Sequence, residues 1–321
     1  MATIVRGVAC SHSPQLNVPP ETWFERANWD RDNAVFSFSE ALARAPENIG
    51  QEINIETFTY RHNACQEAIS RLHDIYVACA PDVVVIVGGD QREMFLDDGV
   101  PAFCVYRGES VLDIPRDRDK LHPSSLIGEW AYHGTETVER PTEADLGEHL
   151  TSSLTQSGFD VGQMLTQPKG RSIGHAFTFI HRRIMMDPIV PIVPVLVNCD
   201  HPINQPTASR CWDFGEALRT AIDDWSSDAR VMLVASGGLS HFEVMESWDR
   251  EVLEALRTGD RNWLGAISKD RLVLGTAEIN NWIVVGAAMH EDFSMEVVDY
   301  VPAYRSEGGT GCGMGFVEWH R

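Results

Sequence analysis

The chain has 321 residues, 43% hydrophobic and 23% charged, a globular composition long enough for one large domain or two small ones. Forty-seven acids against 26 Lys and Arg leave a formal charge of −21, which repels phosphate backbones and argues against nucleic acid or anionic membranes as partners. No apolar run reaches the roughly 18 residues of a membrane span, the opening MATIVRGVACSHSPQ carries no signal-peptide pattern, and the odd set of seven cysteines has no C-x-x-C pair, so a reducing cytoplasm is expected rather than a disulfide framework or a zinc ribbon.

In chain order, the first predicted element is the β-prone run TIVRGVA (3–9), which passes into SHSPQL. Pro14 cannot donate to a ladder and stops the strand. That leaves His12 at a strand end, where open α/β sheets hold their ligands. His62 lies just before a helix predicted over CQEAISRLHDIYVACA (65–80), whose Ala68, Leu72, Ile75 and Cys79 share one stripe. DVVVIVGG (82–89) reads as a strand ending at Asp90 and Gln91, and AFCVY (102–106) as another. From about 107 to 172 the chain is polar and turn-rich, an excursion from the sheet rather than a linker between domains.

His175, in GRSIGHAFTF, precedes the strand-like PIVPIVPVLVN (188–198). A helix over 207–225 leads to ARVMLVASGG (229–238), whose two glycines permit a tight turn before His241. After a helix over 247–259, GTAEINNWIVVGAAM (275–289) opens an apolar segment with Glu278 near its start. Near-continuous β-branched runs alternating with helical stripes predict a single α/β domain over 1–321, its central sheet mainly parallel or mixed and flanked by helices.

Each polar residue has a plain role open to it: a helix flank for His62, a loop for His241, a helix N-terminal acid for Glu278, a turn for Asp90. The set is more informative than its members. Two histidines and one carboxylate form the facial triad that holds non-haem Fe(II), leaving open positions for both oxygens of a catechol and for O2. Further histidines nearby can move protons.

The chain resembles the class III extradiol ring-cleavage dioxygenases, the superfamily of the protocatechuate 4,5-dioxygenase β subunit. The resemblance rests on SHSPQL, PDVVVIVGGDQREMF, GHAFTF with PIVPIVPVLVN, then GGLSHF and AEINNWIVVGAAM, in that order. The opening SHSPQLNVPPETWFERANWDRDN and the closing VVDYVPAYRSEGGTGCGMGFVEW look like the gallate and 3-O-methylgallate branch. The resemblance implies an Fe(II) cofactor, a small aromatic substrate with O2, and a homodimer. It implies His12, His62 and Glu278 as metal ligands, with His73 and His201 as fallbacks for His62. His241 would be the acid/base and His175 a second histidine beside the substrate hydroxyl. The family often has Asp-His where this chain has Gly174-His175, so support for His175 must come from elsewhere. A carboxylated ring needs a partner, for which Arg305 is a candidate, with Tyr300 and Tyr304 as pocket walls. A biphenyl catechol from lignin is an alternative substrate. A metal-dependent hydrolase and a Memo-like binding module are the rival functions.

Overall fold

The Val- and Ile-rich runs become the middle of one sheet. The computed structural model describes residues 1–32, 36–186 and 188–321. The strands are β1 (Thr3–Cys10), β2 (Val83–Gly89), β3 (Phe103–Tyr106), β4 (Ser110–Asp113), β5 (Val138–Pro141), β6 (Gly162–Met164), β7 (Ile192–Val197), β8 (Arg230–Ser236), β9 (His241–Glu243), β10 (Ser294–Tyr304) and β11 (Thr310–His320). The helices that matter below are α1 (Thr22–Asp32), α2 (Ile55–Cys79), α3 (Ala144–Gln156), α4 (Ala208–Asp224), α5 (Glu246–Thr258) and α6 (Ile279–Met289).

The main sheet runs β10-β11-β1-β8-β2-β7-β3-β6, with β9 paired to β11. Its centre, β1-β8-β2-β7, is parallel. Antiparallel pairs flank it at β11 and β3, so the sheet is mixed. The fold is thus a single α/β domain with a helix-flanked mixed sheet, as the sequence predicts.

Every residue of β2 is buried. Its side chains alternate: Val83, Val85 and Val87 join one core, Val84 and Ile86 the other. The first core packs α3, α4, α5 and α6 against the sheet through residues such as Leu150, Trp212, Phe214, Leu256 and Trp282. The second packs α2 through Phe58, Leu72 and Tyr76, with Phe177 and Phe179. A sheet covered on both faces needs hydrocarbon on both sides of its central strands, which is why their sequences hold no polar alternation.

Three segments differ from the sequence reading. α2 begins at Ile55, ten residues before the predicted start, because the Asn54 side chain accepts from the Thr57 N–H (2.9 Å) and caps it there. The polar stretch 107–172 is only partly an excursion: β4 and β5 pair off the main sheet, but β6 returns to pair with β3. β10 and β11 form an antiparallel hairpin that the sequence reading left out. No helix among the described residues is long and apolar enough to cross a membrane.

Candidate active site

Parallel strands bring their C-terminal ends to one edge. There β1 delivers His12, β2 delivers Gln91 and Glu93, and β8 delivers the Gly237–Gly238 turn. Glu278 arrives from the start of α6. A cavity of about 120 Å³ collects His12, Gln91, Arg116, Tyr132, His175, His241 and Glu278 in its wall. A neighbouring pocket of about 150 Å³ shares Gln91, His241 and Glu278.

His12 is buried and its ring is fixed. Ser236 Oγ gives its proton to the Ala176 carbonyl (2.6 Å) and so accepts from His12 Nδ1–H (2.9 Å). The other nitrogen, Nε2, then faces Glu278 Oε1 at 3.0 Å. Tyr132 donates to the His12 carbonyl (2.7 Å) and fixes the backbone too. A bare imidazole nitrogen and a carboxylate oxygen both offer lone pairs, so their meeting requires a proton or a cation between them.

Glu278 is held equally firmly. Its Oε2 accepts from the Gly238 N–H (2.8 Å) and its Oε1 from the Gln91 amide (2.7 Å). Gly237, at φ +152°, must be glycine: a Cβ there would lie 2.7 Å from Glu278 Cβ. Asn281 and Trp282, one turn into α6, donate to the carbonyls of Ser236 and Gly237 and lock the turn onto the helix. Burial raises the Glu278 carboxyl, but the His12 charge, its hydrogen bond and the Gly238 N–H outweigh it and bring it down to about 2.

His175 meets His12 edge-on, ring centroids 4.7 Å apart. Its Nδ1 and its backbone N–H both reach Glu93 Oε2 at 2.8 Å. Glu93 is the missing support for His175, supplied from 82 residues away. The glycine at 174 makes room for it, since a Cβ there would stand 2.9 Å from Glu93 Oε2. Burial pushes Glu93 up, but His175 and His133 hold it far below the usual carboxylate range. Behind it, His133 bonds Asp113 (2.7 Å), which also accepts from Arg182 (2.7 Å). Burial works against a charged His133, yet Asp113 and Glu93 raise it above the ordinary histidine value.

His241 opens β9. Its N–H donates to Thr276 Oγ1 (2.9 Å), which donates back to the His241 carbonyl (2.6 Å). Burial, then the Arg305 charge, lowers the ring to about 4, so it is neutral near pH 7 and able to accept a proton.

Four expected residues lie elsewhere. His62 is two turns inside α2, half-buried, and is absent from the cavity wall; the charges that act on it are those of Arg183 and Glu21. The fallbacks do not replace it: His73 bonds the Ile184 carbonyl, and His201 also stands outside the cavity wall. Arg305 is 1% exposed and spends its guanidinium on Asp30 (2.6 and 2.8 Å) and Gln15 (2.9 Å). Tyr300 donates to Asp249 (2.6 Å) and Tyr304 to Glu246 (2.9 Å), both away from the cavity. Gln91, Glu93, Tyr132 and His133 carry parts of the site without a role in the sequence reading. For Gln91 the signal was its place directly after a strand.

The donor set suits a divalent first-row metal, which accepts imidazole and carboxylate together. Among the described residues no three His, Cys, Asp or Glu side chains converge as ligands. His12 and Glu278 therefore make a pair, beside which the Gln91 amide turns its N–H onto Glu278 Oε1. A proton on Nε2, or a cation held by the two side chains, would remove the lone-pair conflict.

Residues 56–316 match the family model described as the catalytic LigB subunit of aromatic ring-opening dioxygenase. The chain belongs to this family. Gallate dioxygenase of Pseudomonas putida is 30% identical over 155 residues, 44% of this chain and 44% of that protein. The 2,3-dihydroxyphenylpropionate/2,3-dihydroxicinnamic acid 1,2-dioxygenase of Photorhabdus laumondii is 30% identical over 163 residues, 50% of this chain and 43% of that protein. The protein of the same name from Comamonas testosteroni is 24% identical over 178 residues, 56% of this chain and 49% of that protein. The match thus spans less than half the length of each relative.

Proposed function

We propose that this LigB-family chain is an Fe(II)-dependent extradiol dioxygenase that opens the ring of a catecholic aromatic acid of the gallate, 3-O-methylgallate or protocatechuate type with O2. The observation that carries this reading is the His12–Glu278 pair, an imidazole nitrogen and a carboxylate oxygen 3.0 Å apart in a cavity also walled by His175 and His241.

His12 and Glu278 would hold the metal, with the Gln91 N–H steadying the Glu278 carboxylate. When bound, Fe(II) supplies the electronic path between ring and O2 that no side chain provides. The protein's part is orientation and proton transfer. His241, neutral near pH 7, takes the proton of the catechol hydroxyl and can return it later. His175, its Nδ1 committed to Glu93, presents Nε2 as a second proton carrier beside His12. Tyr132 and Ser236 keep the His12 ring and backbone still, which preserves reacting geometry. The seven cysteines are all unpaired and buried, in keeping with a cytoplasmic enzyme, and a homodimer is the assembly proposed.

The test is O2 uptake by protein reconstituted anaerobically with Fe(II), given gallate, 3-O-methylgallate, protocatechuate or a dihydroxybiphenyl carboxylate. Uptake matched by loss of ring absorbance, and lost in His241→Ala, is expected. Zinc-dependent ester or amide cleavage without O2 would instead establish a hydrolase.

A further inference from the structure

The loop after β2 holds Gln91 in place. Asp90 ends the strand, and its carboxylate accepts from the backbone N–H groups of Glu93 (3.2 Å), Met94 (2.8 Å) and Phe95 (2.9 Å). Arg92 takes the left-handed region at φ +60°, which a residue with a side chain keeps only where its surroundings fix it. The loop so pinned sets Gln91 in the wall of both site cavities, beside Glu278.

The amide lies where a third ligand would join the His12–Glu278 pair. Glu278 Oε1 is 3.0 Å from His12 Nε2 and 2.7 Å from the Gln91 amide nitrogen. An octahedral ion with bonds of about 2.1 Å keeps neighbouring ligand atoms about 3.0 Å apart. Both contacts are close to that edge length, and they share one corner. An amide N–H has no lone pair to give, so Gln91 can ligate only through its oxygen. A half-turn of the terminal amide, a broad two-fold torsion, exchanges the two atoms. Glu278 keeps an anchor through the exchange, because the Gly238 N–H holds its Oε2 (2.8 Å). Amide and imidazole are both neutral, so one histidine, one amide and one carboxylate carry the same single negative charge as two histidines and a carboxylate. His62, expected as the second imidazole, stands in the body of α2 and outside both cavity walls.

We propose that Gln91, through its amide oxygen, is the third protein ligand of the metal, in the place expected for His62. This rests on the metal-dependent reading above. A carbonyl oxygen in place of an imidazole shifts the set toward harder ions, raising its preference for Mn(II) relative to Zn(II).

Anaerobic calorimetric titration with Fe(II), Mn(II) and Zn(II) tests this without turnover. Gln91→Leu should weaken Fe(II) binding by more than the roughly 10- to 100-fold that loss of a supporting partner costs. Gln91→Glu separates ligand from support: it has no N–H for Glu278 but keeps an oxygen donor. It should bind Fe(II) at least as tightly as the parent; weakening equal to that of Gln91→Leu would make Gln91 only a support for Glu278 and overturn the proposal. Gln91→His should shift preference toward Zn(II). Pulsed EPR of the Cu(II)-loaded protein counts coordinated imidazoles. One is expected in the parent and in His62→Ala, and two in Gln91→His. A second imidazole in the parent, or unchanged Fe(II) affinity in Gln91→Leu, would also overturn it. Gln91 is exposed, so its variants should fold, and the count on the parent decides even where one does not. Failure of the dioxygenase reading is seen separately, as absent O2 uptake in a parent that binds its metal through Gln91; a parent that binds none of these ions overturns both.

Discussion

On one face of the sheet, α4 and α6 cover the strands with Trp212, Phe214, Leu218, Trp282 and Val285, all buried and mostly hydrocarbon. At the C-terminal edge of the sheet His12, Glu278 and His175 are buried, with Glu93 half-buried beside them and Asp113 of β4 buried behind, but as partners in a web of charge and hydrogen bonds. The two regions share strands and differ in what removes their atoms from water. In the first, stability comes from area and packing, and any close substitute of the right volume serves. In the second, each group is tolerated only because a named partner answers it, and that partner often comes from a distant segment. Stability and chemistry should therefore separate by region.

The largest expected effect breaks the apolar side. Leu218→Ala in α4 removes a fully buried side chain and should cost about 2–5 kcal/mol. Denaturant unfolding measures it. The cavity lies at the strand ends, so kcat of the folded fraction should stay near the parent value. A large fall in kcat at unchanged folded fraction would show the two regions to be coupled.

The next effect breaks the polar side. Glu93→Gln keeps the shape but removes the charge that answers His175 and His133. The loss of such a supporting partner is expected to lower kcat roughly 10- to 100-fold, with a smaller change in KM, and to lower the melting temperature near neutral pH, where the charge of Glu93 stabilises the fold. Glu93→Asp should recover part of both. A merely structural role would lower the melting temperature and leave kcat of the folded fraction intact.

The same contrast explains what the sequence could tell. β1, β2, β7 and β8 are legible because strands buried on both faces must be apolar throughout, and that is a local property. β11 is just as buried, yet the sequence reading assigns TGCGMGFVEWH no element. Its glycines leave room for other segments of the fold: a Cβ at Gly313 would lie 2.1 Å from Asp249 Oδ2. His12 and Glu278 stand out because each breaks an apolar run at an element end. His62 lies in the body of α2 and is not among the residues of the cavity wall. Glu93 looked like one acid among 47, and nothing local marks it as the partner of a histidine 82 positions on. Arg305, expected at the pocket, is instead taken up by Asp30, which only the path of α1 brings to it.

The smallest expected effect is a difference of slope. Glu278 titrates at about 2, and Glu93 and Asp113 also lie below their ordinary 4.5 and 3.8. For each, burial pushes upward and the histidine or arginine partners prevail. A carboxyl lowered in the fold binds protons more readily when unfolded, so its contribution is present above the ordinary carboxyl range and lost as pH falls through the folded value. Melting temperature should therefore drop from about pH 4.5 toward about 2. His133, raised instead, acts with the opposite sign: its contribution is full below its ordinary 6.5 and fades as pH rises through its folded value. Glu93→Gln removes one acid-sensitive group and one source of the His133 shift, so its acid limb should be shallower and its loss above neutral pH smaller. Leu218→Ala should displace the whole curve downward with its slopes intact. Calorimetric melting of the three proteins across pH decides between them: parallel curves for Glu93→Gln and parent would mean that Glu93 is not held below its ordinary value, and the web at the strand ends would lose its anionic centre.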